Sequence, residues 1–278
     1  MRHSIVVSLR AAAWVLALAG SGSAFAQGLE PVLVVADCHV TPGKEAEFIA
    51  AANQLSPVFS KLSASGDVLS WGVSSVMFHR PGQPNFSAWY TAKDFGAVEK
   101  VEAGFEAFTA EQEKAAKAAR AAGKPAGKTT FERWLATFNL ATHKDWAFRE
   151  QIFEVSKLAP GTKPFIWLTW LRAQPGKAID LRAAWEKHYR PVYAKLLAEG
   201  AISGYGFTAE ELKSTDDITH MTWILLPDLG AREKVRAALD ARTEDEKTAT
   251  RQAFLAAMDP TAARSTVLRS ELFVTASR

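Results

Sequence analysis

The chain is written twice. TPGKEAEF at residues 41–48 returns as QPGKAIDL at 174–181, which lays Pro42, Gly43 and Lys44 over Pro175, Gly176 and Lys177, 133 positions later. Upstream, PVLVVADCHV lies over PFIWLTWLRA. Downstream, one extra residue in the second copy moves the shift to 134, and PVFSKL at 57–62 meets PVYAKL at 191–196. Gly66 then meets Gly200, Trp71 and Gly72 meet Tyr205 and Gly206, and Trp89 meets Trp223. Near the end of each copy REQIF (149–153) lies over RSELF (269–273) at a shift of 120, so the first copy carries 14 more residues. The Ala/Lys-rich stretch EQEKAAKAARAAGKPAGK, about 111–128, is the place for them and reads as a helix extension with a loop. An ordered series of matches of this kind fixes the architecture before any local propensity is weighed.

Each copy reads β-α-β-β-α-β, the ferredoxin-like order. An apolar run is followed by Pro-Gly, which ends a strand and turns the chain, and Lys opens a helix. That helix spans about 44–65 in the first copy and 177–199 in the second, with Gly66 or Gly200 behind it as a C-cap. Two strands follow, at about 68–78 and 85–92, then 202–208 and 219–226. Asp94 and Asp228 sit where they cap a second helical region, and last strands fall at about 146–155 and 267–275. The repeats divide the chain into residues 27–158 and 159–278, behind a leader at 1–26.

The strands carry a further constraint. A ferredoxin-like sheet covers one face with its helices, and a wet second face would alternate polar with apolar. VLVVA and FIWLTWL are apolar on both faces. The fold expected is therefore α+β, two ferredoxin-like units with their antiparallel sheets packed face to face as an intrachain pseudo-dimer. Burial of each large apolar side chain at that interface is worth about 1.5–3 kcal/mol.

Export is expected from the first 26 residues. Arg2 and Arg10 precede a short apolar run, and Ala24-Phe25-Ala26 offers small residues at the positions a signal peptidase reads. The run is too short to cross about 30 Å of hydrocarbon, so the mature chain is expected to begin near Gln27 and to be periplasmic or secreted, with no membrane insertion. Without the leader's two arginines the chain has 31 basic against 30 acidic residues, a balance that gives no electrostatic case for nucleic acid. Cys38 is the single cysteine, which excludes an internal disulfide, and its strand position suits a small buried residue.

The pattern of apolar strand, Pro-Gly-Lys, helix, Gly, and a strand with an aromatic-Gly pair resembles the dimeric α/β-barrel superfamily, with two units fused in tandem over about 31–275. The resemblance implies a ligand space between the sheets. The superfamily includes small monooxygenases, haem-degrading enzymes and peroxidase-like haem proteins, so haem enters as a cofactor by resemblance alone; the motifs themselves name no cofactor. GKPAGKTT at 123–130 imitates a phosphate loop, yet it follows an Ala/Lys helix where the loop needs a strand and lacks the first glycine, Ala122 standing there. The histidines show no metal-ligand spacing, and no metal site is expected.

Four groups of candidate site residues remain. His188 takes the place of Leu55 on the apolar stripe Leu181, Trp185, His188, Val192 and Leu196, either as a hydrogen-bonded core residue or as a catalytic imidazole. Asp37 and His39 are two apart on one strand and read as a base and its orienting partner. Arg149, Arg269 and Arg172 place charge in or beside strands, either as ion pairs at strand ends or as the lining of a ligand space. Trp167, Trp170, Trp185 and Tyr205 form an aromatic set suited to core packing or an apolar pocket. The functional expectation is a protein that binds a small, mostly apolar molecule between its sheets. An oxygenase or haem-handling oxidoreductase is the first alternative, and a non-catalytic protein whose barrel is filled by its own side chains is the second.

Overall fold

The structure, a computed structural model, describes residues 30–78, 82–159, 161–212 and 218–275; the expected leader lies outside them. The first copy supplies β1 (Val32–Cys38), α1 (Glu45–Asn53), α2 (Ser56–Ala64), β2 (Val68–Val76), β3 (Phe86–Ala92), α3 (Phe95–Ala121), α4 (Thr130–Leu135) and β4 (Lys144–Val155). The second supplies β5 (Phe165–Leu171), α5 (Ala178–His188), α6 (Arg190–Ala198), β6 (Gly204–Glu210), β7 (His220–Leu226), α7 (Ala231–Asp240), α8 (Glu244–Ala257) and β8 (Arg264–Thr275).

The eight strands close into one antiparallel barrel in the order β1-β3-β2-β8-β5-β7-β6-β4. Within each copy the order is that of a ferredoxin-like sheet. The facing sheets are also stitched together at their edges, β2 to β8 and β4 to β6, so no edge strand remains. Even small features obey the duplication: the isolated bridge Val40–Phe138 has its counterpart in Ala173–Met258.

The repeated Pro-Gly-Lys is the turn from β1 to α1 and from β5 to α5. Gly43 (φ 84°) and Gly176 (φ 76°) hold the left-handed angle that a side chain resists. Asp94 Oδ1 accepts the Ala97 N–H at 2.7 Å and Asp228 Oδ1 the Ala231 N–H at 2.9 Å, as capping residues should. The inserted stretch extends α3 to Ala121 and then becomes loop.

One expectation needs correction. The single helix expected after each Pro-Gly-Lys is two helices, α1–α2 and α5–α6. Pro57 and Pro191, each second in its helix, have no N–H for the carbonyl one turn back, and their rings crowd that turn. The Ser56 hydroxyl bonds the Asn53 carbonyl in place of the missing donor.

Two kinds of core result. Outside the sheet, the helices bring Val101 of α3 into one cluster with Trp71 and Tyr90 in the first copy, and Val235 of α7 into one with Tyr205 and Phe207 in the second. Inside the barrel, Leu33, Val35, Trp146, Phe148, Ile166, Leu168, Trp170, Met221, Leu225 and Leu268 form a single cluster, joined by Trp89, Trp223 and Phe273. Leu158, on the segment that links the copies, packs against the same cluster.

Candidate functional site

Alternation along β1 sends Leu33, Val35 and Asp37 into the barrel and Val34 and Cys38 toward the helices. Asp37 is the last interior residue of its strand. Its Oδ1 accepts the Ser87 hydroxyl at 2.6 Å, across the β1–β3 pairing, and its Oδ2 accepts the Trp146 indole N–H at 3.1 Å. Burial raises its pKa above the usual carboxylate value, against the pull of these two donors and of the Arg264 and Lys144 charges. The indole of Trp146 lies 5.6 Å from that of Trp170, whose ring is 5.8 Å from Phe148. A desolvated carboxylate thus borders an aromatic wall at one end of the barrel.

The duplication shows that the fold does not demand this group. The positions equivalent to Asp37 and Ser87 are Trp170 and Met221, which face each other across β5 and β7 as Asp37 and Ser87 do across β1 and β3.

A second interior carboxyl is Glu150 on β4. It is 3% exposed, and both its oxygens lie beside the Trp223 indole N–H, at 3.1 and 3.3 Å. Burial, opposed only by that indole, pushes its pKa up to about 8, so it is neutral at pH 7. Glu150 lies at the start of β1, its N–H bonded to the Pro31 carbonyl, and Asp37 lies about 20 Å further along that strand. The sequence signal that finds Glu150 is its partner at the shift of 120, Ser270.

Paired glycines let the interior tryptophans lie flat. A Cβ on Gly206 would stand 2.3 Å from the Trp223 ring, and one on Gly72 would stand 2.7 Å from the Trp89 ring. With that space open, Trp89 donates to the Ser74 hydroxyl at 3.2 Å and Trp223 to Glu150.

The other sequence candidates lie elsewhere. His39 follows β1 and turns its Nε2 to the Gly82 carbonyl at 3.3 Å; Asp37 takes its donors from Ser87 and Trp146, so the two do not form the expected pair. His188 ends α5 on the outside of the barrel, half-buried, with its pKa lowered by burial and by Lys187 and Arg242. Arg149 pairs with Glu211 at 3.0 Å, Arg172 with Asp259 at 3.3 Å and Arg269 with Glu271 at 2.8 Å, the strand-end pairs that were the plainer of the two readings. Trp185 and Tyr205 belong to the helix-side core, and Trp167 lies under the Arg232 guanidinium. Of the aromatic set, Trp170 alone joins the barrel interior.

Solved structures of other proteins share this shape. A provisionally named monooxygenase of Fusobacterium nucleatum superimposes with a TM-score of 0.59 at 10% identity, over 89% of this chain and 95% of its own. One of Lactobacillus acidophilus, named in the same way, gives 0.59 at 10%, over 89% and 97%. The fold is that of a dimeric α/β-barrel, closed here within one chain. An anthrone oxidase-like protein shares the barrel with a TM-score of 0.51 at 13% identity, over 91% and 96%. No protein-family model matches the sequence, and no curated protein does.

Haem is the cofactor that the barrel's resemblance brings in. Among the described residues, no cysteine or tyrosine joins the interior cluster to serve as its axial ligand, and the histidines are engaged elsewhere, His39 at the Gly82 carbonyl, His143 at Asp145 and Phe138, and His188 at the end of α5. His220 faces the helices, its ring 5.2 Å from Phe207, and Cys38 faces α1 with a thiol that burial pushes to high pKa. The described interior residues therefore do not fit a haem ligated between the sheets, and no group of acids, histidines and cysteine among the described residues suits a metal ion.

Proposed function

We propose that the barrel binds a small, mostly apolar molecule at the Asp37 end and that Asp37 removes a proton from it, the opening step of an oxygenase-type reaction. The observation that carries this reading is Asp37 itself, a carboxylate held by two donors, raised in basicity by burial and bordered by Trp146 and Trp170. A base with these properties is poised for carbon or hydroxyl acids that water solvates poorly. Support for the oxidative part comes from the names of the monooxygenase and anthrone oxidase-like barrels, proteins that share the fold at low identity.

The test is a flat apolar carbon acid, 5-nitrobenzisoxazole, whose ring opens on deprotonation with a visible product. The expected result is a rate that Asp37→Asn lowers about 100-fold, the usual worth of a positioned base, and that His188→Leu leaves unchanged. Equal rates for the native protein and Asp37→Asn defeat the reading. The packed interior favours a second reading, a barrel filled by its own tryptophans, and native mass spectrometry of protein from its own host separates the two: a retained small molecule supports binding, and a bare mass supports the filled barrel. Export is part of the proposal, and the mature protein is expected to begin at Gln27 by N-terminal sequencing.

A further inference from the structure

The Asp37 end of the barrel carries a cation that the proton transfer leaves unexplained. Lys144 is the partner of Asp37 across β4 and β1, and Arg264 is the partner of Trp170 across β8 and β5. Opposed residues in antiparallel strands share a face, so all four lie on the inward face. Along most of the barrel that face is shut from water, at Trp146, Phe148, Trp170 and Leu268 among others. Lys144 and Arg264 are exposed, and Asp37 is partly so. Inward residues meet water only where a barrel opens, so these three mark its mouth. Toward the other end the inward Glu150 and Ser270 are buried, and Leu158 of the linker packs on the interior cluster. The duplication singles out the cation. Between the copies Asp37 becomes Trp170, Ser87 becomes Met221 and Trp146 becomes Thr266, whereas Lys144 meets Arg264 at the shift of 120. Lys144 offsets the charge of Asp37 beside it. Arg264 stands opposite an indole instead. Arg149, Arg172 and Arg269 each hold a carboxylate, and among the described residues no ion pair engages Arg264. Its charge still acts on Asp37 across the mouth, where the Trp146 and Trp170 rings lie 5.6 Å apart.

We propose that Arg264 binds the oxyanion formed when Asp37 takes its proton, and that the substrate is a phenol, a flat aromatic ring with an acidic hydroxyl. The inference rests on the Asp37 reading and adds the chemical class of the substrate. The O–H bond of the phenol breaks, the proton passes to a carboxylate oxygen of Asp37, and the electron pair stays on the phenolate oxygen. An anion at a mouth walled by tryptophan is costly without a counter-charge. The guanidinium supplies that charge and donates N–H bonds to the oxygen, while the indoles of Trp146 and Trp170 border the ring. An aromatic hydrocarbon or an aryl ether gains nothing from Arg264, so the residue sets specificity for the ionisable hydroxyl.

The probe is 4-nitrophenol, whose phenolate absorbs visible light and whose neutral form does not. Its absorbance is followed against pH with the full chain in excess. The bound probe is expected to ionise about one pH unit below the free probe, a tenfold change that an opposite charge at hydrogen-bond distance produces. Arg264→Gln is expected to abolish the displacement and Arg264→Lys, which keeps the charge, to retain it. Both variants are expected to keep the native thermal midpoint, because Arg264 is exposed, so loss of the cation is told apart from loss of the fold. Asp37→Asn is expected to keep the displacement, since the arginine and not the base holds the anion. Failure of the Asp37 reading therefore appears separately, as equal 5-nitrobenzisoxazole rates with the displacement intact. No displacement in the native protein, a displacement to higher pH, or its survival in Arg264→Gln overturns the proposal.

Discussion

Replacing Glu150 by Gln should reshape how stability depends on pH. The folded-state pKa is about 8, against 4.5 for an unhindered glutamate, and Glu150 is almost fully buried, so screening by water is slight. The folded state therefore holds this proton more tightly than the unfolded state. The stability it contributes is complete below about pH 4.5 and is lost as pH rises through about 8. Each pH unit within that window costs about 1.4 kcal/mol, and the total approaches roughly 5 kcal/mol by pH 9. Glutamine cannot ionise and keeps an oxygen for the Trp223 N–H. Urea unfolding of both proteins from pH 5 to pH 9, followed by tryptophan fluorescence, should show the variant gaining on the native protein by about 4 kcal/mol across the range. Asp37, whose pKa is also raised, is common to both proteins and cancels in the difference. A difference that stays flat with pH would show that Glu150 is ionised and solvated at neutral pH, contrary to its buried position on Trp223.

His220 contributes to the acid side. Burial lowers its pKa to about 4 from 6.5, so the stability of its neutral form is present above pH 6.5 and is lost as pH falls toward 4; His220→Leu should flatten that limb in the same urea series. Gly206→Ala should destabilise the fold by about 1–3 kcal/mol, because the added methyl overlaps the Trp223 ring and nothing on the strand can yield cheaply. Its change in thermal midpoint should be matched by that of Gly72→Ala, where the methyl meets the Leu272 carbonyl as well as Trp89.

The fold was legible because duplication and two-sided apolar strands speak at long range. Pro-Gly-Lys placed the turns, and VLVVA over FIWLTWL required the two sheets to cover each other. The helix breaks before Pro57 and Pro191 were equally present in the sequence, and a continuous apolar stripe through His188 obscured them. The site was less legible, since a strand face is known only when its register is known. Asp37 was visible as an acid in an apolar strand, yet Ser87 and Trp146, its partners, come from β3 and β4 and share no local pattern with it. Glu150 was hidden by the irregularity between Glu150 and Ile152, which sends Ile152 to the helix-side core and breaks the alternation that would have marked the interior face. Arg149, Arg172 and Arg269 stood out as charges near strands, and each resolves into an ion pair on the outside.

The central claim is that the two copies close one barrel through shared seams. Ser75 on β2 stands opposite Arg269 on β8 across one seam. Facing positions in antiparallel strands bring Cα atoms to about 4.5–5.5 Å, within the reach of a disulfide. In a Cys38→Ser background, Ser75→Cys with Arg269→Cys should oxidise within a monomer, and intact mass should fall by the two hydrogens lost. Free thiols after oxidation, or a bond formed only between separate chains, would contradict the closed barrel.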